Sequence, residues 1–236
     1  MFRFKQFTIR QQGVTMKVNT DSVLLGAWAK VGACKNILDI GTGTGVIALM
    51  LAQRNTDANV LGIEIDQHTA EVADENFHNS VFSNRMSLLN VSVQDYAVTS
   101  RIKYDAIVSN PPYFDAGPVS NNDKRKISRH TETLTKKDLI KSVKALLESG
   151  GYFSVILPHI MAQEFIEDAY SEGLFLNERL DVYSSVQDGE AIRSLLLLRR
   201  NSNLTKREKI YIREDTVESK YTKKFISLTK AFYENF

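Results

Sequence analysis

The sequence predicts an α/β fold, a mostly parallel seven-stranded sheet with helices on both faces and an antiparallel hairpin at its C-terminal end. Three observations predict it. Between residues 36 and 173, short apolar runs alternate with segments of helical spacing, the pattern of repeated strand–helix–strand crossovers and of a sheet covered on both faces. The first run, Asn36–Ile40, is followed at once by Gly41, Gly43 and Gly45, so strand, tight turn and helix start follow one another without a linker. The last two runs, 179–186 and Arg193–Arg199, are joined by a loop too short for a crossover helix, so they must pair antiparallel.

Each element rests on its own residues. Residues 7–18 hold two β-rich runs around Gln12-Gly13, which predicts a hairpin there. Thr20-Asp21 offers an N-cap, Val23, Leu24, Ala27 and Trp28 follow at helical spacing, and Gly32 is a stop. After the strand Asn36–Ile40, residues 45–54 are apolar and rich in helix formers, and 60–65 is the next strand. A polar-faced helix over 67–79 carries Ala70, Val72, Ala73 and Phe77. Residues 86–89 and Tyr104–Ser109 read as strands. A helix over 134–149 is stopped by Gly150-Gly151 and followed by a strand over 152–157, and a helix over 161–172 is stopped by Gly173. One domain is expected over 1–236: a hairpin and helix over 1–34, a core over 35–200 and a basic tail over 201–236.

Composition narrows the setting. The chain has 236 residues, 43% hydrophobic and 25% charged, which supports a packed core and excludes a disordered chain. No apolar run approaches the length of a membrane span and no signal-like h-region follows Met1, so a cytoplasmic protein without a membrane partner is expected. The single Cys34 excludes an intramolecular disulfide and a multi-cysteine zinc site, and the four histidines are scattered, so no metal is expected. A monomer is expected. Net charge is only +2, but residues 1–20 carry four basic and no acidic side chains, 124–137 six basic and one acidic, and 199–230 ten basic and four acidic. Such runs are compatible with solvated loops, and equally with a footprint for phosphates.

The glycine turn Gly41-Thr42-Gly43-Thr44-Gly45 lies where an open α/β sheet binds ligands. The dinucleotide pattern G-x-G-x-x-G/A wants a small residue at position 46, and Val46 stands there instead. The spacing, with Asp39 just before it, fits S-adenosylmethionine, whose ammonium and ribose diol call for acids rather than for a phosphate cradle. Glu64 ends the next strand, where its carboxylate can accept the ribose hydroxyls. Asp95 follows the third strand, where it can accept from an adenine amine. Asp66 reads instead as a helix cap. The candidate cofactor residues are Thr20, Asp21, Asp39, Gly41, Gly43, Gly45, Glu64, Asp95 and Asn110.

The most specific signal is Asn110-Pro111-Pro112-Tyr113, directly after a buried strand. Two fixed proline φ angles leave a rigid extended stub that presents Asn110 and the following carbonyls as preset acceptors, with Tyr113 as a flat face. Asn110, Pro111, Pro112 and Tyr113 are the candidate catalytic group.

Together, Asp39–Gly45, Glu64, Asp95 and Asn110–Tyr113 resemble the class I S-adenosylmethionine-dependent methyltransferases that modify planar amino nitrogens, on a Rossmann-like fold. Members with Asn-Pro-Pro-Tyr act on adenine N6 in nucleic acids or on a glutamine amide in release factors. The stretch from Phe7-Thr8-Ile9 through Asn19-Thr20-Asp21-Ser22 to Trp28, with the endings Tyr221–Phe225 and Phe232-Tyr233, resembles the bacterial tRNA1(Val) adenine-N6-methyltransferases, which modify the adenine next to the anticodon. The resemblance implies tRNA as partner, with Tyr113, Lys124, Arg125, Lys126, Arg129 and His130 as substrate contacts. A glutamine methyltransferase acting on a release factor, or a cofactor-binding module without activity, is the alternative.

Overall fold

The structure is a computed structural model that describes residues 1–112, 134–215 and 220–235. A short antiparallel hairpin opens it, β1 (Phe2–Arg3) on β2 (Thr8–Ile9). It turns over residues 4–7, where the Phe4 N–H donates to the Phe7 carbonyl at 2.9 Å, and not at Gln12-Gly13 as the sequence predicts. The reason is burial: Phe4, Phe7 and Ile9 are core residues, and Phe4 stacks on Phe7 at 4.7 Å and on Tyr233 at 6.0 Å. Helix α1 (Thr20–Trp28) is capped by Asn19, one residue before the predicted cap, and is buried on nearly all sides from Ser22 to Ala27.

The main sheet grows outward from β3 (Asn36–Ile40) through α2 (Val46–Arg54) to β4 (Asn59–Glu64), then through α3 (Gln67–His78) to β5 (Met86–Asn90). After α4 (Val93–Thr99) the chain returns to the other side of β3 as β6 (Tyr104–Ser109), and β7 (Leu147–Pro158) follows through α5 (Lys136–Leu146). Next come α6 (Ala162–Ser171), β8 (Phe175–Ser185) and β9 (Arg193–Arg199), which inserts antiparallel between β7 and β8 as the short loop requires. The order is β10-β8-β9-β7-β6-β3-β4-β5. Its outermost strand β10 (Lys206–Arg213) pairs parallel with β8, and α7 (Lys223–Thr229) follows. The sheet therefore has eight strands, not seven, and the predicted basic tail contributes a strand and a helix.

Alternate residues of each strand feed two cores. Ile37, Ala106, Val108 and Leu195 pack under α1, α2, α3 and α7. Leu38, Ile107, Phe153 and Leu196 pack under α4, α5 and α6. The predicted stop at Gly150-Gly151 also needs correcting. Helix α5 ends at Leu146, and both glycines lie inside β7, opposite a register shift between Tyr104 and Ala106. A Cβ on Gly151 would stand 3.0 Å from the Tyr104 and Asp105 carbonyls, so the close approach of β6 demands glycine there.

Because β4 leaves β3 on one side and β6 pairs with it on the other, the topological switch lies between β3 and β6, and the crevice opens outside their carboxyl ends.

Candidate active site

A cleft of about 740 Å³ sits at that switch. Gly41, Thr42, Gly43 and Thr44 after β3, Glu64 and Ile65 after β4, Ser92 and Gln94 after β5, and Asn110 and Pro112 after β6 all line it. The segment before α1 closes the wall with Thr15, Met16, Lys17, Asn19 and Ser22.

The glycine turn holds its shape through left-handed residues. Gly41, Gly43 and Gly45 have φ of 67°, 58° and 82°, a region that side chains disfavour. Cβ atoms on Gly41 and Gly43 would meet nothing within 4 Å, so both face open space, whereas one on Gly45 would stand 2.4 Å from the Phe77 ring. Gly45 caps α2 and rests on Phe77; it is not part of the cleft wall.

Two acids fasten the turn. Asp39 is fully buried, and its Oδ2 accepts from Thr42 Oγ1 at 2.7 Å and from the Ala48 N–H at 3.1 Å. Burial pushes its pKa up to about 7 against those two bonds, and the nearby Glu64 charge raises it further. Its other oxygen, Oδ1, is buried and unpaired among the described residues. Glu64 joins two loops: Oε2 accepts from the Gly43 N–H at 3.0 Å, and Oε1 from the N–H groups of Ile65 and Asp66 at 2.9 and 3.1 Å. Asp66 is a cap, as predicted, accepting from the Thr69 N–H at 2.8 Å.

Asn110 leaves β6 half-buried, and its Nδ2 donates to Ser22 Oγ at 3.3 Å. Behind it Ser109 Oγ donates to the Ile40 carbonyl at 3.0 Å, tying the ends of β6 and β3 together. Pro111 is buried beneath and Pro112 is exposed at the cleft.

The cleft thus gathers Gly41, Gly43, Glu64, Asn110 and Pro112. Of the other predicted cofactor residues, buried Asp39 and Gly45 do not line the cleft, and three more stand elsewhere. Thr20 does not line the cleft, and Asp21 turns away to accept from Arg193 Nε at 2.7 Å. Asp95 lies in the first turn of α4, where its carboxylate accepts from Ser92 Oγ at 2.7 Å while its neighbours line the cleft. Tyr113, Lys124, Arg125, Lys126, Arg129 and His130 lie outside the described residues. Sequence reasoning missed Asn19 and Ser22. Asn19 had a signal, an N-cap residue just before an apolar helical run; Ser22 had none, since its partner Asn110 lies 88 residues away. Among the described residues no cluster of His, Cys, Asp and Glu is poised for a metal, and no helix is long and apolar enough to cross a membrane.

Comparison with known proteins points the same way as the cleft. Residues 16–184 match the methyltransferase small domain family. The tRNA1(Val) (adenine(37)-N6)-methyltransferase of Trichodesmium erythraeum is 41% identical, the match covering 98% of this chain and 97% of that one. Its counterpart in Haemophilus influenzae is 37% identical over 100% and 99%. Among solved structures, a predicted O-methyltransferase from Agrobacterium tumefaciens superimposes with a TM-score of 0.67 at 23% identity, covering 90% of this chain and 96% of that one. A TehB-like S-adenosylmethionine-dependent methyltransferase from Corynebacterium glutamicum gives 0.52 at 18% identity, over 79% and 90%. These two likenesses show the fold.

Proposed function

The chain belongs to the methyltransferase small domain family and, within it, to the tRNA1(Val) (adenine(37)-N6)-methyltransferases, and from that premise we propose that its cleft binds S-adenosylmethionine beside Asn110 and presents adenine 37 of a tRNA to it. The reaction transfers a methyl group to the exocyclic N6 of that adenine.

The residues present fit the cofactor. Gly41 and Gly43 leave a cradle that a Cβ would intrude upon, Glu64 supplies a carboxylate at the end of β4, and the cleft's volume lies within the ordinary range for ligands of this size. When bound, S-adenosylmethionine supplies an electrophilic sulfonium methyl, so the chemistry asks little beyond alignment. Glu64, which already accepts from three N–H groups, would take a ribose hydroxyl in the place it has left. Buried Asp39 stays behind the turn and fixes its backbone.

Asn110 carries the proposal. The adenine amine is a poor nucleophile because its lone pair is delocalised into the ring. With Nδ2 donating to Ser22, the Asn110 Oδ1 is the atom left to accept one amine N–H, and the Pro111 carbonyl accepts the other. Two acceptors pull the nitrogen towards tetrahedral geometry and aim its lone pair. The proton leaves after transfer, when the nitrogen is acidic, so the motif needs no strong base. Tyr113 stacks on the base, a contact worth about 1–3 kcal/mol.

The test is nucleoside mass spectrometry of tRNA treated with each variant. Asn110→Ala is expected to lower N6-methyladenine formation about 10²–10³-fold, the usual cost of removing one preorganised polar group, with S-adenosylmethionine affinity changed only a few-fold. Asn110→Asp is milder because an acceptor remains. Near wild-type methylation by the alanine variant, or product on a release-factor glutamine instead of adenine, overturns the assignment.

A further inference from the structure

Asn110 can catalyse as proposed only if its oxygen, not its nitrogen, faces the cleft. An asparagine amide is nearly symmetric in shape, so something must choose. We propose that Ser22, backed by Asn19, is the positioning residue that makes this choice.

The polarity of the chain is forced at its far end. Asn19 Oδ1 accepts from the Ser22 backbone N–H at 2.9 Å. A backbone N–H only donates, so the Asn19 atom there is the oxygen. Ser22 Oγ lies 3.1 Å from the same oxygen. The oxygen cannot donate, so the serine hydroxyl must spend its single hydrogen on it. Ser22 Oγ then has only lone pairs to offer, and Asn110 meets it with Nδ2 at 3.3 Å. Turning the amide over would set two acceptors against each other and put two N–H donors before the amine that Asn110 has to accept from.

The fold makes the arrangement rigid. Ser22 is 7% exposed and sits in the first turn of α1, a helix buried on nearly every side. Asn19 is the cap of that helix, so the same oxygen that starts α1 also orients the hydroxyl. Asn110 follows a strand tied to β3 through Ser109. All three side chains line the cleft. The N-terminal segment thereby reaches 88 residues along the chain to set the reacting group.

This inference rests on the reading that Asn110 Oδ1 accepts from the adenine amine, and the experiment separates the two. Steady-state kinetics on tRNA are compared for Ser22→Ala, Ser22→Thr, Asn110→Ala and the Ser22→Ala/Asn110→Ala double variant, with melting temperatures recorded for each. Ser22→Ala is expected to lower kcat about tenfold and leave KM for S-adenosylmethionine within about twofold, the split expected of a residue acting only on the transition state. Ser22→Thr, which keeps the hydroxyl, recovers most of that loss. In the Asn110→Ala background Ser22→Ala costs nothing further, because there is no amide left to orient. A wild-type kcat for Ser22→Ala, a change confined to melting temperature, or an additive loss in the double variant overturns the relay and leaves the Asn110 site standing. Full activity of Asn110→Ala overturns both.

Discussion

Glu64 illustrates how much one side chain does at this site. Three backbone N–H groups already point at its two oxygens, and a carboxylate has room for about four hydrogen bonds. Its carboxylate is therefore already oriented by both flanking loops, as the proposed contact with the cofactor requires. Those bonds leave room for one further hydrogen bond, and one bond to a charged acceptor contributes about 1.5–3 kcal/mol. Glu64→Ala is expected to weaken S-adenosylmethionine binding at least about tenfold, which needs only about 1.4 kcal/mol, with the circular dichroism of the fold retained. Unchanged affinity in a calorimetric titration would remove Glu64 from the site. Asp39 makes a second, pH-dependent prediction. In the unfolded chain it titrates near the ordinary carboxylate value, whereas burial holds it at about 7 in the folded protein. Between those two values the folded state binds the extra proton, so this group's stabilising contribution is present at low pH and lost as pH rises through 7. Asp39→Asn removes the slope. The variant's stability relative to wild type should rise by more than about 1 kcal/mol between pH 5 and pH 8, one pK unit being about 1.4 kcal/mol. Urea titrations at the two pH values check this, and a constant difference would refute it.

Elements whose signal lay in a few residues were legible, and those whose signal lay in their neighbours were not. Strands β3, β6 and β9 fall within their predicted bounds because continuous apolar runs in a doubly covered sheet have no competing reading. Helix α4 was missed because only Val93 and Tyr96 are buried, although Ser92 followed by Asp95 is a capping pattern. Strand β10 was hidden by its charge: of Lys206–Arg213 only Ile210 is buried, as suits an edge strand whose basic residues discourage further pairing. In the site, the glycine turn, Glu64 and Asn110 could be read from local spacing. The departure of Asp21 towards Arg193 could not, since it depends on a strand 172 residues away. The glycine turn itself is braced by α3. Gly45→Ala would place a methyl 2.4 Å from Phe77 and force a left-handed alanine. About 1–3 kcal/mol for overpacking and about 1 kcal/mol or more for the backbone predict a loss of roughly 2–4 kcal/mol. The measurement is the urea midpoint; a shift under 0.5 kcal/mol, roughly the limit for a neutral surface change, would mean that α3 gives way without cost.

At the scale of the whole molecule the question is how a chain of net charge +2 holds a tRNA. Its cations are segregated. Lys17 lines the cleft beside Asn19. Arg207 and Lys209 stand exposed on the edge strand β10. The segment holding Lys124, Arg125 and Lys126 lies between Pro112 and Leu134, both of which line the cleft, so the chain leaves and rejoins the site on either side of those charges. Each phosphate neutralised releases condensed counterions, and the logarithm of affinity then falls with the logarithm of salt by about 0.7–0.9 per contact. The affinity for tRNA is expected to fall steeply between low and physiological salt, while that for S-adenosylmethionine does not follow it. Replacing Lys124, Arg125 and Lys126 together by alanine should flatten the tRNA slope by about 2–3, less than one per charge removed, and leave cofactor affinity unchanged. Replacing Arg207 and Lys209 separately tests whether the β10 edge shares the load: a slope unchanged by that pair but flattened by the triple variant assigns the phosphate contacts to residues 124–126 and not to β10. Filter binding across a salt series reads all three, and a tRNA affinity independent of salt would show that recognition comes from base contacts in the cleft and not from the phosphate backbone.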